Sequence, residues 1–290
     1  MRLDLLVSRR FDLSRRAARD AVRAGRIDVG GVPRDEPGLD VAEDVEVRFD
    51  PRRPERRRVK SRLVVLLEDP HFLVVDKPAG LLTVQTAQHE SDTLVARALA
   101  YLQHRYRRRA WVGVVHRLDK DTSGALVFAR TREALRGLQE LFRAHRIERE
   151  YLAIVEGDVR TAGVFDAPLV ADRGDRRRGV ARPGEAGRHA VTRYRPKERF
   201  GKATLVSVEL ETGRTHQIRV HFSEAGHPVV GDPVYRRRRA PAPSLLEAPR
   251  QMLHARVLGF AHPATGAPVR AISEPPPDFE AVRKRLRGSP

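Results

Sequence analysis

The residues best suited to chemistry stand together in His116-Arg117-Leu118-Asp119-Lys120-Asp121-Thr122-Ser123-Gly124. An apolar run from Val112 to Val115, interrupted by one Gly, leads in, and a second, Ala125 to Ala129, leads out. Short apolar runs bounded by polar or Gly residues read as buried strands. A charged connection between buried strands must be paired, hydrated or functional, because burying an unpaired charge is costly. The plain reading is an ion-paired turn. The other is a nucleophile or general base: a carboxyl with a reference pKa of about 3.9 stays charged in a dry pocket if an Arg lies beside it.

A second dense polar stretch, Glu211-Thr212-Gly213-Arg214-Thr215-His216-Gln217-Ile218-Arg219-Val220-His221, supplies such cations. Its Gly turn feeding a polar helix start suits an anion or a partner carboxylate. His216 and His221 lack the i,i+4 spacing of helical metal ligands and have no acidic cluster beside them, so no metal site is expected. No phosphate-binding G-x-x-x-x-G-K-[ST] loop, G-x-G-x-x-G fingerprint or G-x-S-x-G elbow is present. What remains is Asp119, an aromatic at Tyr151, the pair Arg214 and Arg219, and many further Arg. One carboxylate with a cation partner and an aromatic platform would suit chemistry on a nucleotide held out of its stack, without cofactor or metal.

Composition points to the same partner. The 290 residues carry 56 Lys plus Arg against 38 Asp plus Glu, a formal charge of +18 that calls for a polyanion. Only six of the cations are Lys, and Arg favours bidentate phosphate contacts and stacking on bases. High Arg with no Asn also fits a GC-rich genome, and lack of Asn and Cys a heat-adapted host. Absence of Cys excludes disulfides, Cys-based zinc sites and thiol nucleophiles. No apolar run approaches the ~20 residues that span a bilayer, and no signal peptide follows Met1, so a cytoplasmic, monomeric protein with no membrane partner is expected.

The elements that must position these residues fall into two units. Residues 1–50 read as a small α+β module. Ser14 caps a helix with Ala17, Ala18, Ala21 and Val22 as its apolar stripe, ended by Gly25. Arg15, Arg16, Arg19 and Arg23 form a basic ridge beside that stripe, with Arg26 just beyond it. The ridge has no acidic i,i+4 partner except near Asp20, which is odd without an anionic ligand. Short strands flank the Gly30-Gly31 turn. Residues 51–61 read as a basic linker, and residues 62–290 as a larger domain. There, strands are expected at Leu63–Leu67, Phe72–Val75, Glu150–Gly157 and Thr204–Leu210, and from Gln251. Helices are expected over Thr93–Leu102 and Thr131–Ala144, and in the charged tail. Residues 172–189 read as a long loop or irregular hairpin.

The N-terminal pattern, Arg2-Leu3-Asp4, Ser14-Arg15-Arg16-Ala17-Ala18, Gly25-Arg26-Ile27-Asp28-Val29-Gly30-Gly31 and Asp44-Val45-Glu46-Val47, resembles an S4 RNA-binding domain. His116 to Gly124 resembles the signature of RluA-type pseudouridine synthases. Asp76-Lys77-Pro78-Ala79-Gly80, Tyr151 to Gly157, Glu211 to His221, Gly226-His227-Pro228 with Gly231-Asp232-Pro233-Val234-Tyr235, and Gln251 to Ala255 match that family in order. The resemblance implies an α+β catalytic domain on a mixed, largely antiparallel sheet, and an isomerase that converts uridine to pseudouridine in structured RNA without a cofactor. It implies Asp119 as the essential carboxylate, as nucleophile or as base. Tyr151 would stack on the base, Arg219 would pair with the carboxylate, and Arg117 would hold the flipped nucleotide or fill its place. Members with an S4 module commonly act on large-subunit ribosomal RNA, the expected substrate here. A non-catalytic S4-type RNA-binding protein in ribosome assembly is the alternative. Arg117, Arg214, the ridge residues Arg15, Arg16, Arg19 and Arg23, and Arg26 are the expected RNA contacts, and Asp121 is expected to hold the turn.

Three departures stand out. Arg149 replaces a usual Lys, the family's His-Pro is missing at Thr83-Val84, and Arg236 to Arg239 stand where a Gly is usual.

Overall fold

The computed structural model describes residues 1–53, 63–88, 90–107, 109–173, 177–235 and 246–288. Most of the expected linker and the run Arg236 to Arg239 lie outside the described residues. The chain divides into two compact units, Met1–Ser61 and Arg62–Pro290.

In the first unit, helix α1 (Leu3–Arg10) packs on α2 (Arg15–Arg23), whose N-cap Ser14 accepts a hydrogen bond from the Ala17 amide. Gly25, at φ 70°, ends α2 in the left-handed conformation that Gly adopts without a Cβ penalty. Strands β1 (Ile27–Val29) and β2 (Val32–Arg34) form a hairpin over Gly30-Gly31, and β3 (Val47–Phe49) pairs with the other edge of β1. Leu3, Val7, Ala18, Ala21, Val22 and Ile27 make the core. Ala17 is exposed, so the buried stripe is narrower than the sequence suggests.

The second unit is built on a ten-stranded sheet among the described residues. Its central strands are β5 (Phe72–Lys77), β7 (Ser123–Ala129), β14 (Leu253–Ala261) and β8 (Glu148–Glu156), in that spatial order. Strand β4 (Val64–Glu68) lies outside β5, and β13 (Ala203–Leu210), β12 (Val191–Arg199) and β9 (Gly163–Asp166) continue beyond β8. The short β6 (Gly113–Val114) pairs with β7, and β15 (Pro268–Ile272) with β14. Among the described strands β7 and β14 pair in parallel and the other strand pairings are antiparallel.

The central strands are buried on both faces, which explains their near-continuous apolar runs. Leu73, Val75, Leu126 and Phe128 meet α3 (Leu94–Tyr106) and α5 (Gln217–Glu224) through Leu94, Ala98, Leu102, Ile218 and Phe222. The alternate residues Phe72, Val74, Ala125 and Val127 meet α4 (Arg132–Arg143) through Ala134 and Leu138. Helix α6 (Pro277–Arg287) covers Leu152 and Ile154 with Phe279, Val282 and Leu286. Of the stretch 172–189 expected as a loop or irregular hairpin, β11 (Gly179–Val180) forms a short strand that pairs with β10 (Leu169–Val170), which precedes the stretch.

Candidate active site

The polar stretch His116 to Thr122 bridges two strands of one sheet, since β6 and β7 pair antiparallel. Several contacts hold its backbone. The His116 imidazole stacks on Phe142 at 4.6 Å, and its Nε2 accepts from the Val127 amide at 3.3 Å. Burial pushes the His116 pKa down to about 3, so the ring is a neutral strut at physiological pH. Thr83, 3 % exposed, donates to the Leu118 carbonyl at 3.1 Å and accepts from the Leu118 amide at 3.3 Å. A side chain replacing the family's usual pair thus braces the residue before Asp119.

The fully buried Lys77 donates to the carbonyls of Pro78 and Lys120 at 2.9 and 2.8 Å. Burial pulls its pKa down to about 7, opposed by Asp121 and Asp119. Farther along, Gln251 donates to Thr122 at 2.8 Å, and Arg250 to the Asp121 carbonyl at 3.0 Å.

Gly124 explains why the stretch ends as it does. A Cβ there would lie 2.1 Å from the Ala255 carbonyl oxygen. Gly124 pairs with Ala255, and Ala255 pairs with Tyr151. The register therefore sets Tyr151 in line with the start of β7, one strand away across β14.

Asp119 meets Arg219, which rises from the first turn of α5. Arg219 donates from Nη1 to Asp119 Oδ2 at 3.0 Å. Its opposite edge donates twice to Asp232, from Nε at 2.6 Å and from Nη2 at 3.0 Å. The Arg219 side chain is 4 % exposed, Asp232 is 0 % exposed and Asp119 is 23 % exposed. Burial works against the Arg219 charge, but Asp232 and Asp119 outweigh it and raise the pKa. Burial likewise works against the Asp232 carboxylate, yet Arg219 and the amides of Val234 and Tyr235 hold its pKa below the usual range. Asp232 thus fixes the guanidinium, and the guanidinium offers its free edge to Asp119.

His216 also faces this carboxylate. Its Nε2 lies 3.8 Å from Asp119 Oδ1, and its Nδ1 is 2.8 Å from the Tyr235 hydroxyl. Burial pulls the His216 pKa down although Asp119 opposes it, which favours the neutral ring at physiological pH. Its backbone is left-handed, φ 59°, at the entry to α5.

Asp119 opens on a cavity of about 1020 Å³, lined also by Arg117, Arg149, Tyr151, Arg214 and His216. That volume lies near the upper end for small-molecule sites. Tyr151 is 8 % exposed, and burial raises its pKa, with Arg149 opposing and Asp119 adding. Arg149 is buried too. It donates to the carbonyls of Leu210 and Glu211 at 3.0 and 2.9 Å, tying β8 to the loop that carries Arg214. Arg214 donates to the His189 carbonyl at 2.9 Å.

The structure thus brings Asp119, Tyr151, Arg117 and Arg214 to one cavity, with Arg219 bonded to Asp119 behind its wall. It adds Asp232, Lys77, Thr83 and His216, which the sequence did not single out for roles. A charged residue ending an apolar strand was the available signal for Lys77. For Asp232 it was an acid lodged in a Gly-Pro loop.

The ridge residues lie in the other unit. Arg15, Arg16 and Arg23 are exposed on α2. Arg19 is not free: its Nε lies 3.5 Å from the buried Asp4 carboxylate of α1. Arg26 is half-buried and donates to the Arg53 carbonyl at 3.1 Å. The ridge expected from sequence is therefore broken at Arg19 by an acid from a neighbouring helix. No group of acids and His able to hold a metal occurs among the described residues.

Residues 71–224 match the family model described as RNA pseudouridylate synthase. The chain belongs to this family. Residues 1–47 match the S4 domain model. A protein named ribosomal large subunit pseudouridine synthase D, from Pseudomonas aeruginosa, is 45 % identical over 237 residues, covering 78 % of this chain and 72 % of that one. An RNA pseudouridine synthase of Mycobacterium bovis, named as uncharacterized, is 35 % identical and covers 99 % of this chain and 95 % of its own. The solved structure of human RNA pseudouridylate synthase domain containing 4 superposes with a TM-score of 0.64 at 26 % identity, over 77 % of this chain and 93 % of that one. This synthase therefore pairs an α+β catalytic fold with an S4 RNA-binding domain, and its activity is the isomerisation of uridine in RNA.

Proposed function

We propose that the chain isomerises specific uridines of large-subunit ribosomal RNA to pseudouridine, with Asp119 as the essential carboxylate. The observation that carries the reading is the buried Arg219, clamped by Asp232 and presenting its remaining edge to Asp119 at the cavity. The ribosomal substrate is supported by the activity after which the Pseudomonas relative is named and by the S4 domain.

The reaction is a balanced isomerisation. The bond from C1′ to N1 breaks, the uracil turns, C1′ bonds to C5, and the C5 proton leaves as N1 gains one. Asp119 serves as the nucleophile that holds the sugar or as the base that takes a sugar proton. In either role it needs an oriented oxygen, and the bond from Arg219 supplies that orientation. Tyr151 stacks on the base, and burial raises its hydroxyl pKa, so it remains a proton donor. Arg117 and Arg214 meet the phosphates beside the extracted nucleotide, and Arg15, Arg16 and Arg23 bind RNA beyond it. In this reading the chain works as a monomer in the cytoplasm, and a dimeric mass by light scattering would contradict that part.

The test is tritium release from large-subunit ribosomal RNA carrying 5-tritiated uridine. Release by the wild-type chain supports the reading. RNA binding with no release on any RNA leaves only the binding protein.

A further inference from the structure

We propose that helix α4 and Trp111 form a docking track for the RNA strand flanking the nucleotide in the cavity, with the Trp111 indole stacking on an unpaired base. The inference rests on the reading that the cavity takes a uridine of RNA.

The track starts at the cavity, whose wall includes Gln139, Phe142 and Arg143 of α4. An α-helix repeats every 3.6 residues, so Arg132 lies in the same row as Gln139 and Arg143, with Arg136 beside it. Arg132, Arg136 and Arg143 are exposed. Arg136 pairs with Glu133 at 3.6 Å, but both side chains are about three-quarters exposed. Such a pair is worth little in water and yields readily to a phosphate.

At the far end of the row the Arg132 guanidinium lies 5.9 Å from the Trp111 ring centroid. Trp111 is 40 % exposed and is the chain's only Trp. One edge of the indole is seated: a Cβ on Gly113 would come within 2.7 Å of its Cη2 and within about 3.0 Å of Leu135. Glycine at 113 leaves room for the ring against β6, the strand that leads into the Asp119 loop. The ring is thus held from one side, braced by a cation and open to solvent. Aromatic faces backed by Arg are the sequence-tolerant platforms on which unpaired bases stack.

A single exposed aromatic is ordinary, and Tyr106 shows the contrast. It is equally exposed and carries Arg130 over its ring at 4.8 Å. Its hydroxyl donates to Glu68, however, and Glu68 also takes Tyr101, Arg105 and Arg130. There one half-buried carboxylate holds both cations and the ring's hydroxyl in place. Trp111 and Arg132 instead continue a basic row into the cavity wall.

From Arg132 to Arg143 the helix rises about 16 Å at ~1.5 Å per residue. Stacked nucleotides at ~3.4 Å each put the Trp111 base about five positions from the target.

Fluorescence from the single Trp reads the contact directly. The full-length Asp119→Asn chain is titrated with a large-subunit ribosomal RNA transcript, and binding is followed separately by filter retention. We expect binding to quench Trp111 and shield it from iodide. Retention of RNA with unchanged emission and unchanged iodide access overturns the track. No retention overturns the RNA reading itself, and the track with it. In turnover, Trp111→Ala should raise KM about tenfold, and Trp111→Phe should recover most of that. A KM for Trp111→Ala equal to wild type overturns the stacking contact.

Discussion

Arg219 and the arginines of α2 use the same side chain in opposite ways. Arg219 is 4 % exposed and touches two carboxylates, one fully buried. Arg16 is 95 % exposed, and its nearest acid, Asp20, lies 3.9 Å away and is itself mostly exposed. The first charge is neutralised from both sides, so it has little left for a phosphate. What it supplies is position, because three hydrogen bonds fix the plane of the guanidinium and through it an oxygen of Asp119. Arg16, unlike Arg19 beside Asp4, holds no buried group in place. The unneutralised charge of such exposed cations attracts a polyanion at long range. Geometry is thus bought with burial in one unit, and affinity comes from exposure in the other.

The comparison breaks most sharply at the two carboxylates of Arg219. Asp119→Asn should lower tritium release by roughly 10³-fold or more, because the lost group acts on the reacting atoms. Its effect on stability should be small, since Asp119 is partly exposed and Arg219 keeps both bonds to Asp232. Asp232→Asn should instead lower stability strongly, with a smaller loss of turnover than Asp119→Asn. Losing the charge that compensates a buried guanidinium costs about 3–5 kcal/mol. Urea unfolding of the two variants would show it, and equal midpoints would remove the distinction between the chemical and the anchoring carboxylate.

A smaller effect is expected at Lys77. Its folded pKa of about 7 lies below the unfolded value of 10.5. Below pH 7 both states hold the proton, and the folded state bears the cost of a buried charge. Above it the folded state releases the proton while the unfolded chain keeps it until about pH 10.5. The contribution of Lys77 to stability therefore rises over that window. A neutral amine still has two N–H groups for its two carbonyl acceptors. The stability difference between wild type and Lys77→Met should grow from pH 7 to pH 10, and a constant difference would show that the folded state keeps the amine charged throughout.

Local signals carried most of the sequence reading, and their limits follow from chain separation. Ser14, Thr93 and Thr131 cap helices as their hydroxyls suggest. The strands around the Asp119 loop are legible because burial on both faces leaves unbroken apolar runs. Strand β12 is not: Val191–Arg199 alternates with Tyr194, Pro196 and the charged Glu198 half-buried along its outer half, so charges dominate the pattern. The parallel pairing of β7 with β14 joins residues 131 positions apart at Ser123 and His254, and no local pattern encodes it. That pairing is what aligns Tyr151 with the catalytic loop. The clamp on Arg219 was hidden for a related reason. Asp232 sits in a Gly-Pro loop where an acid reads as turn chemistry, and only the folded loop turns it inward. Arg19 failed in the opposite sense, since a helix-period argument cannot see Asp4 arriving from α1.

That broken ridge gives the smallest expected effect and tests the other half of the comparison. Each phosphate contact contributes about 0.7–0.9 to the slope of log affinity against log salt. Replacing Arg15, Arg16 and Arg23 together by Gln should reduce that slope by about two to three, with the loss in turnover falling on KM. Arg19→Gln should behave differently. Its partner Asp4 is 3 % exposed and keeps Arg2, which donates from two nitrogens at 3.1 and 2.9 Å. Stability should therefore fall by only about 1 kcal/mol, and the salt slope should hardly move. Filter binding from 50 to 300 mM salt, at roughly the range where such slopes are linear, would show it. A slope change for Arg19→Gln as large as one third of the triple variant's would mean that RNA draws Arg19 away from Asp4, and that exposure alone does not decide which cations of this helix serve the polyanion.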